Sequence, residues 1–379
     1  MPTRRVHHLA AATAATTTVL TTALAAVPPA HAVGALYIVQ PGESIQQAVD
    51  AALPGDTIQL FPGTYRGSVR ITTPGLTLRG AGPESVITPD TAIPGAVAPA
   101  TATTTTANAT TTANAAANAC ATAGHGLCVV GTEGHRLADV QIANLTVTGF
   151  RKNGIDATET TGMTVRSVHV HDNGQQGISQ ERSTRAVISG NESTRNGQSG
   201  VFLANSVDSE GGAIDTEGTV VSGNVLADNR IGVTVRRLRD LSVDQNDIHG
   251  NCGGVFIVGD EGVPRAGALT VSRNQVVANN KYCPPNPRLD YIQGTGILLT
   301  GAEETAVTDN QVRDNVGASP MSGGIVLFPS MVGVPNARNT VTGNFVTGNG
   351  PADLADRDTG TSNSFARNQC QTSEPAGHC

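Results

Sequence analysis

Valine, isoleucine and leucine recur in short clusters along most of the chain, separated by glycine, asparagine and aspartate. A glycine followed by an aliphatic residue is the most regular element of this pattern. These glycines are Gly126, Gly154, Gly177, Gly200, Gly232, Gly254, Gly296 and Gly324. The shortest steps between them are 22 and 23 residues, and the longer steps are interpreted as the same unit with an insertion. The pattern predicts short strands at a fixed period, without helices between them.

A repeat of about two dozen residues made of short strands predicts a solenoid of β-coils. A β-propeller needs about 40 residues per repeat, and a leucine-rich repeat needs a leucine ladder that this sequence lacks. Because side chains alternate along a strand, the first aliphatic residue after each glycine is expected to point into the core and the next one outward. The predicted fold class is therefore all-β, a single-stranded parallel β-helix.

Asparagines occur in pairs whose members are five residues apart. The pairs are Asn191/Asn196, Asn224/Asn229, Asn246/Asn251, Asn274/Asn279, Asn310/Asn315 and Asn344/Asn349. Asparagine tolerates left-handed backbone conformations and bonds nearby backbone groups. Ligand binding by six equivalent pairs would require all of them on the outer surface. We therefore expect the pairs to stack at the bends of successive coils and to be part of the scaffold.

From IVQPGESIQQAVDAALPGDTIQLFPGTYRGSV (38–69) to the tail NSFARNQCQTSEPAGHC (363–379), the chain resembles the right-handed parallel β-helix proteins of the pectate-lyase-like superfamily, and most closely their exported actinobacterial members. The resemblance implies a right-handed coil whose open N-terminal end is covered by a short helix. Ser44 and Gln47 form a capping box that predicts such a helix through Leu53, with Ile45, Val49 and Leu53 on one side. The resemblance to this superfamily also allows calcium as a cofactor, although no cofactor is evident from the residues.

The start of the chain has the features of a secretory signal. Arg4 and Arg5 precede an apolar run that ends at Ala30-His31-Ala32, so we expect cleavage after Ala32 and a secreted protein. The expected organisation is signal peptide 1–32, cap and first coils 33–87, a low-complexity Thr/Ala insertion 88–119, coils 120–369 and a disulfide-closed tail 370–379.

Six cysteines in an exported chain predict three disulfides, for which 15 connectivities exist. Sequential pairing is the simplest, because the members of each pair are close in sequence. The pairs are Cys120/Cys128, Cys252/Cys283 and Cys370/Cys379. No Cys-x-x-Cys motif or Cys/His cluster has metal-ligand spacing, so no metal site is predicted.

The charge of the chain limits its partners. The formal net charge is −7, and loss of Arg4 and Arg5 with the signal peptide makes it −9. An acidic chain without a basic run argues against nucleic acid and anionic membranes as partners. No second run is long and apolar enough to span a bilayer.

The outward positions after the repeated glycines predict a surface that is polar at one end and apolar at the other. The first outward row is Asp156, Ser179, Phe202, Thr234, Phe256, Leu298 and Val326. Insertions, among them Lys281–Gly294, are expected to form walls beside it. The substrate-binding residues predicted on this floor and rim are Phe202, Phe256, Tyr282, Arg288, Asp290 and Tyr291. Two alternatives are that the loops simply cover the apolar stripe, or that the stripe is an oligomer interface.

Candidate catalytic residues lie at the polar end. Asp156 and Glu181 are expected on adjacent strands, displaced by two residues and about 8 Å apart at Cα. Inverting glycosidases use carboxylates at a comparable separation. Arg236 is a candidate lyase base or charge clamp, and Arg182 is a second. The aspartate, histidine and arginine motifs of the polygalacturonase-like hydrolases, alginate epimerases and calcium pectate lyases are missing from the sequence.

The function predicted from the sequence is that of a secreted β-helix protein that binds an extracellular polysaccharide along the outward strand face, with or without modifying it. One alternative is a polysaccharide lyase or glycoside hydrolase acting on uronic-acid-rich polymers. Another is a structural or adhesive oligomer without catalysis. The sequence determines neither the polysaccharide nor the oligomeric state.

Overall fold

The computed structural model describes residues 34–90, 119–206, 211–287 and 289–379. Over these residues the chain winds as a right-handed parallel β-helix, so the predicted fold is confirmed. Successive coils contribute strands to three parallel sheets, here called A, B and C in the order in which the chain meets them. The N-terminal signal segment predicted for 1–32, and residues 91–118 of the predicted insertion, lie outside the described residues.

The three sheets have these strands. Sheet A contains Leu36–Val39, Thr57–Leu60, Thr77–Arg79, Gln141–Ala143, Thr164–Arg166, Val187–Ser189, Ile214–Ser222, Leu238–Asp244, Gly267–Ser272, Ala306–Thr308, Thr340–Thr342 and Ser364–Ala366. Sheet B contains Gly63–Arg66, Ser85–Thr88, Thr146–Thr148, His169–His171, Glu192–Thr194, Val225–Ala227, Asp247–His249, Gln275–Val277, Gln311–Arg313 and Phe345–Thr347. Sheet C contains Val69–Ile71, Leu127–Val130, Ile155–Thr158, Ile178–Glu181, Ser199–Ala204, Ile231–Arg236, Gly253–Val258, Thr295–Thr300, Gly323–Phe328, Leu354–Asp356 and Ser373–Glu374. Leu137–Ala138 and Thr160–Thr161 form a small additional pair.

The core is a stack of aliphatic side chains that point into the coil. The inward position after each repeated glycine is buried, and strand pairing aligns these positions: they are Leu127, Ile155, Ile178, Val201, Val233, Val255, Ile297 and Ile325. The residue that follows each of them points outward. Small branched side chains repeated at the strand spacing of about 4.8 Å therefore replace the aromatic core that this chain lacks.

The repeated glycines are required by close packing. Gly232 has no positive φ, but a Cβ there would lie 2.4 Å from Cγ2 of Ile248 and 2.8 Å from the carbonyl oxygen of Gly254. Any larger residue at this position would collide with the side chain of sheet B that fills the coil beneath it.

A helix (α1, Ile45–Ala51) covers the N-terminal end of the coil, as predicted. The Ser44 hydroxyl accepts a hydrogen bond from the Gln47 amide at 3.3 Å, which satisfies one of the amides that a helix leaves without a partner in its first turn. Ile45 and Val49 are buried. The prediction that the helix extends to Leu53 is wrong: α1 ends two residues earlier, and Leu53 is 69% exposed.

The asparagine pairs are scaffold, as predicted, and all of them are buried. Each asparagine flanks a three-residue strand of sheet B, which explains the spacing of five residues. Asn246 shows the repeating geometry: its Nδ2 donates to Oδ1 of Asn274 at 2.9 Å and to the Val221 carbonyl at 3.0 Å. Its Oδ1 accepts from the amide and Nδ2 of Asn224, at 3.0 and 2.9 Å. The side chains therefore form continuous hydrogen-bonded ladders along the helix axis.

The left-handed backbone lies at a different residue from the one that we expected. In each turn the residue before the asparagine has positive φ, as Gln245 (55°) does before Asn246 and Asp228 (62°) does before Asn229. The asparagine itself contributes its side chain, which bonds the neighbouring coils.

The disulfides pair sequentially as predicted, Cys120–Cys128, Cys252–Cys283 and Cys370–Cys379. The tail beyond residue 369 also belongs to the coil, because Ser373–Glu374 pairs with Leu354 and Ala355 in sheet C. The solenoid therefore continues into the segment that the last disulfide closes.

Candidate functional site

The candidate site lies on the outer face of sheet C, where the strand register confirms the expected alignment. Asp156 pairs with Cys128 on one side and Ser179 on the other, and the row continues through Phe202 and Thr234. A second outward row, two residues further along the strands, contains Thr158, Glu181, Ala204, Arg236, Val258, Thr300 and Phe328.

Two disulfides attach loops to this face. Cys120–Cys128 ties the helical residues 119–123 to the strand beside Asp156. Cys252–Cys283 ties down residues 281–294, here called the cover loop. Four strands lie between them, so the floor extends about 14 Å from the first strand to the fourth. We call this part, strands Ile155–Thr158 to Ile231–Arg236, the open floor.

The apolar half of the face is covered by the chain itself. Phe256 is 1% exposed and packs with Leu298 and Val326 in a second hydrophobic cluster, outside the coil. Ile292 belongs to this cluster, and Leu289 packs against it. Hydrogen bonds between the backbones of Cys283 and Ile292, both 3.0 Å, make the cover loop a small hairpin.

This burial corrects the role expected for Phe256. The ring fills the space beneath the cover loop and is not accessible to a ligand in this structure. Of the two alternatives for the stripe, coverage by loops is the arrangement observed within one chain.

The open floor retains Phe202, which is partly exposed. Its neighbours in the row, Ser179 and Thr234, have small, buried side chains, so the Phe202 ring projects further from the sheet than they do. Asp156, Glu181 and Arg236 are also partly exposed. The structure therefore brings one aromatic ring and three ionisable groups together on four adjacent strands.

Asp156 is positioned by His125 of the preceding coil and by Asn153, which lies just before its own strand. Asn153 Nδ2 donates to Asp156 Oδ1 at 2.7 Å, and His125 Nδ1 lies 3.9 Å from the same oxygen. The amide of Asn153 donates to His125 Nδ1 at 3.3 Å, which places the proton of a neutral imidazole on Nε2. Burial lowers the pKa of His125, and the Asp156 carboxylate opposes that shift. A neutral imidazole therefore lies beside a carboxylate at one end of the floor.

His125 was not predicted from the sequence, yet a signal for it exists. It occupies the position immediately before the repeated glycine, where later coils have Asn153, Gln176 and Ser199. These residues form a short polar ladder: Asn153 Oδ1 accepts the Gln176 amide at 3.1 Å, and Gln176 Oε1 accepts the Ser199 amide at 2.7 Å. The fifth residue in this position is Ile231, where the apolar half begins.

Glu181 and Arg236 lie in the second row with Ala204 between them, so their Cα atoms are about 10 Å apart. Arg236 Nη1 donates to the Ser206 carbonyl at 3.3 Å. Arg182, the second arginine considered for a lyase mechanism, donates from Nε to Glu159 Oε1 at 2.7 Å. That ion pair joins the residues that directly follow the strands Ile155–Thr158 and Ile178–Glu181, so we assign Arg182 a structural role.

Three of the rim residues predicted on the cover loop, Tyr282, Asp290 and Tyr291, are exposed or partly exposed. Tyr282 is 60% exposed, and its ring centroid lies 5.6 Å from that of Tyr291. Tyr291 donates from its hydroxyl to the Ala318 carbonyl. Asp290 is exposed and accepts the Tyr291 amide at 2.7 Å. Arg288 lies outside the described residues.

The outer face of sheet B has a separate open depression of about 430 Å³. Asp247, His249, Gln275, Val277 and Arg313 are among the residues that line it.

Within the described ranges, no three His, Cys, Asp or Glu side chains are grouped so that they could hold a metal ion. Calcium therefore stays an expectation that rests on the resemblance alone. Among the helices of the described part, none is long and apolar enough to cross a membrane.

Comparison with known proteins agrees with the fold. No curated protein sequence matches this chain. The A-module of the mannuronan C-5 epimerase AlgE4 of Azotobacter vinelandii is 18% identical, with a TM-score of 0.56 over 87% of this chain and 90% of that one. The DFA-IIIase of Arthrobacter chlorophenolicus A6, solved in complex with DFA-III, is 16% identical, with a TM-score of 0.53 over 88% of this chain and 83% of that one.

The family model for right-handed β-helix regions matches residues 101–276 and 207–330, which together span more than half of the sequence. The chain is therefore a member of the right-handed β-helix family.

Proposed function

We propose that the protein binds an extracellular polysaccharide along the open floor of sheet C. The observation that carries the proposal is the arrangement of Phe202 beside Asp156, Glu181 and Arg236, between two loops anchored by disulfides. An aromatic face with planar polar groups beside it suits a sugar ring, which has apolar faces and a polar edge. The similar folds described above support the proposal, since their names describe enzymes that act on mannuronan or bind DFA-III.

We also propose that the protein is secreted. Its three disulfides suit an oxidising compartment, and the apolar segment that ends at Ala32 is the expected signal.

The binding test is a screen of plant and microbial polysaccharides, with and without calcium, followed by titration of the ligands found. Phe202→Ala is expected to weaken binding about tenfold or more, because the ring supplies the apolar contact. Phe345→Ala is the matched control, since Phe345 is exposed on sheet B, away from the floor. Equal affinities of the wild-type protein and Phe202→Ala would place the ligand elsewhere.

Modification of the bound chain is a second candidate function, favoured by the neutral His125 beside Asp156 and by Glu181 one coil further on. Asp156 and Glu181 are displaced by the two residues that the sequence predicted, about 8 Å at Cα. New reducing ends, or the absorbance of unsaturated uronates, would report cleavage of uronic-acid polymers. Activity that survives both Asp156→Asn and Glu181→Gln, with Glu192→Gln as the exposed control on sheet B, would reject this assignment.

The oligomer hypothesis has lost the observation that motivated it. Phe256, Leu298 and Val326 are covered within a single chain, so they do not require a second copy to bury them. The oligomeric state itself is measured directly by light scattering.

A further inference from the structure

Arg230 lies at the boundary between the open floor and the cover loop. It directly precedes the last strand of the floor, Ile231–Arg236. Its amide donates to the Gln198 carbonyl at 2.9 Å, and its carbonyl accepts the Cys252 amide at 3.1 Å. Arg230 is thus the neighbour, one coil back, of the cysteine that anchors the cover loop.

The guanidinium of Arg230 is buried with most of its hydrogen-bonding capacity unused. The residue is 8% exposed, and Nη1 donates to the Pro284 carbonyl of the cover loop at 2.8 Å. Nε and Nη2 are buried and have no hydrogen-bond partner. Burial also lowers the pKa of Arg230. Buried donors without partners are rare because each costs free energy comparable to a lost hydrogen bond.

The nearest acid along the chain does not neutralise this charge. Asp228, two residues before Arg230, forms an ion pair with Lys281, the first residue of the cover loop. The two cations at the base of the cover loop therefore differ in their partners: Lys281 is paired with a carboxylate, whereas the described contacts of Arg230 include none.

Nε and Nη2 point along one edge of the guanidinium and form the fork that binds a planar oxyanion side-on through two parallel hydrogen bonds. We propose that Arg230 is an oxyanion subsite at the end of the open floor, and that it takes a carboxylate or sulfate group of the bound polysaccharide when the Pro284 segment moves aside. The inference rests on the proposed function and deepens it, because it assigns the ligand to the anionic polysaccharides.

The test compares wild-type protein with Arg230→Met, which keeps the length of the side chain and removes the fork. The probes are an oligogalacturonate and its fully methyl-esterified form, which differ in the free carboxylate, together with a sulfated oligosaccharide as the second source of an oxyanion. Arg230→Met is expected to bind the acid form about 10- to 100-fold more weakly and the ester unchanged. Arg313→Met, on the outer face of sheet B, is the matched control and should bind as wild type does.

Arg230→Lys separates charge from geometry. A lysine keeps the charge but lacks the fork, so it should recover only part of the affinity for the acid form. The inference is overturned if Arg230→Met binds the acid form as tightly as wild type, or if wild type fails to distinguish the acid or sulfated form from the ester.

A measurement without any saccharide keeps this inference separable from the proposed function. Sodium sulfate should raise the thermal unfolding midpoint of wild type more than that of Arg230→Met at equal concentration. Because the general effect of sulfate on apolar burial acts on both proteins, the difference reports the subsite. If no polysaccharide binds, a larger shift in wild type supports the oxyanion subsite by itself, and equal shifts reject it.

Discussion

Replacement of Asn246 by alanine tests whether the asparagine ladders stabilise the coil as the geometry implies. Asn246 is buried in the middle of its ladder, and its side chain takes part in four hydrogen bonds, two as donor and two as acceptor. Alanine leaves the amide and Nδ2 of Asn224 without this acceptor and removes one donor to the Val221 carbonyl. The cavity that this substitution would leave is small and is lined by these polar groups.

The magnitude follows from counting these bonds. A net contribution of about 1 kcal/mol per hydrogen bond gives a loss of about 4 kcal/mol in the free energy of unfolding. The same change at Asn368, the part-buried end of this ladder, removes three such bonds and should cost about 3 kcal/mol. Gln275→Ala, at an exposed position on sheet B, is the control and should change the free energy by less than about 0.5 kcal/mol.

Urea unfolding of the variants gives the free energies, and hydrogen exchange of the Asn224 amide reports the local opening. Asn246→Ala should expose that amide to faster exchange, because its acceptor is the deleted oxygen. A loss below about 1 kcal/mol with unchanged exchange would refute the view that the ladder holds neighbouring coils together.

Three further predictions follow from single contacts. Burial holds the pKa of His125 below the value of about 6.5 in the unfolded chain, so the unfolded state takes up the proton first as the pH falls. The stability that His125 contributes should therefore be complete above that pH and decline below it. In urea unfolding from pH 7 to 5, His125→Gln should show a shallower decline in the free energy of unfolding than wild type does. The buried Asp353 carboxylate accepts hydrogen bonds from Asn349 and from the backbone amides of Gln371 and Thr372. In Asp353→Asn the side-chain NH2 group would face some of these donors, so the free energy of unfolding should fall by about 2 to 4 kcal/mol and C-terminal hydrogen exchange should become faster. Unchanged exchange would contradict this. Joint replacement of Cys252 and Cys283 by alanine opens a crosslink with a sequence separation of 31, and the loss in urea unfolding should be about 3 to 4 kcal/mol; a loss near zero would show that the hairpin packs without its tether.

Much of the fold could be predicted because the repeat is local and periodic. The glycine-aliphatic unit fixes which residues point inward, and the observed pairing of Ile155 with Ile178 and of Asp156 with Ser179 is the register that the spacing implied. The asparagine pairs were recognisable as scaffold because ligand binding by six equivalent pairs would require all of them on the outer surface. The error in the length of α1 arose because Leu53 continues the helical spacing of apolar residues but lies beyond the point where the chain turns towards the first sheet.

The sequence by itself determined the coil and the two faces of each strand, since both depend on neighbours at a fixed step along the chain. It favoured the sequential pairing of the cysteines only because the members of each pair are close in sequence. Only the tertiary structure decided which outward residues a ligand can reach. Insertions have no period, so the path of the cover loop over Phe256 and the burial of Arg230 beneath Pro284 were not predictable from the repeat. The contact between His125 and Asp156 likewise arises from stacking, which brings residues of successive coils together. Periodicity specifies what stacks on what, and the insertions decide what remains exposed.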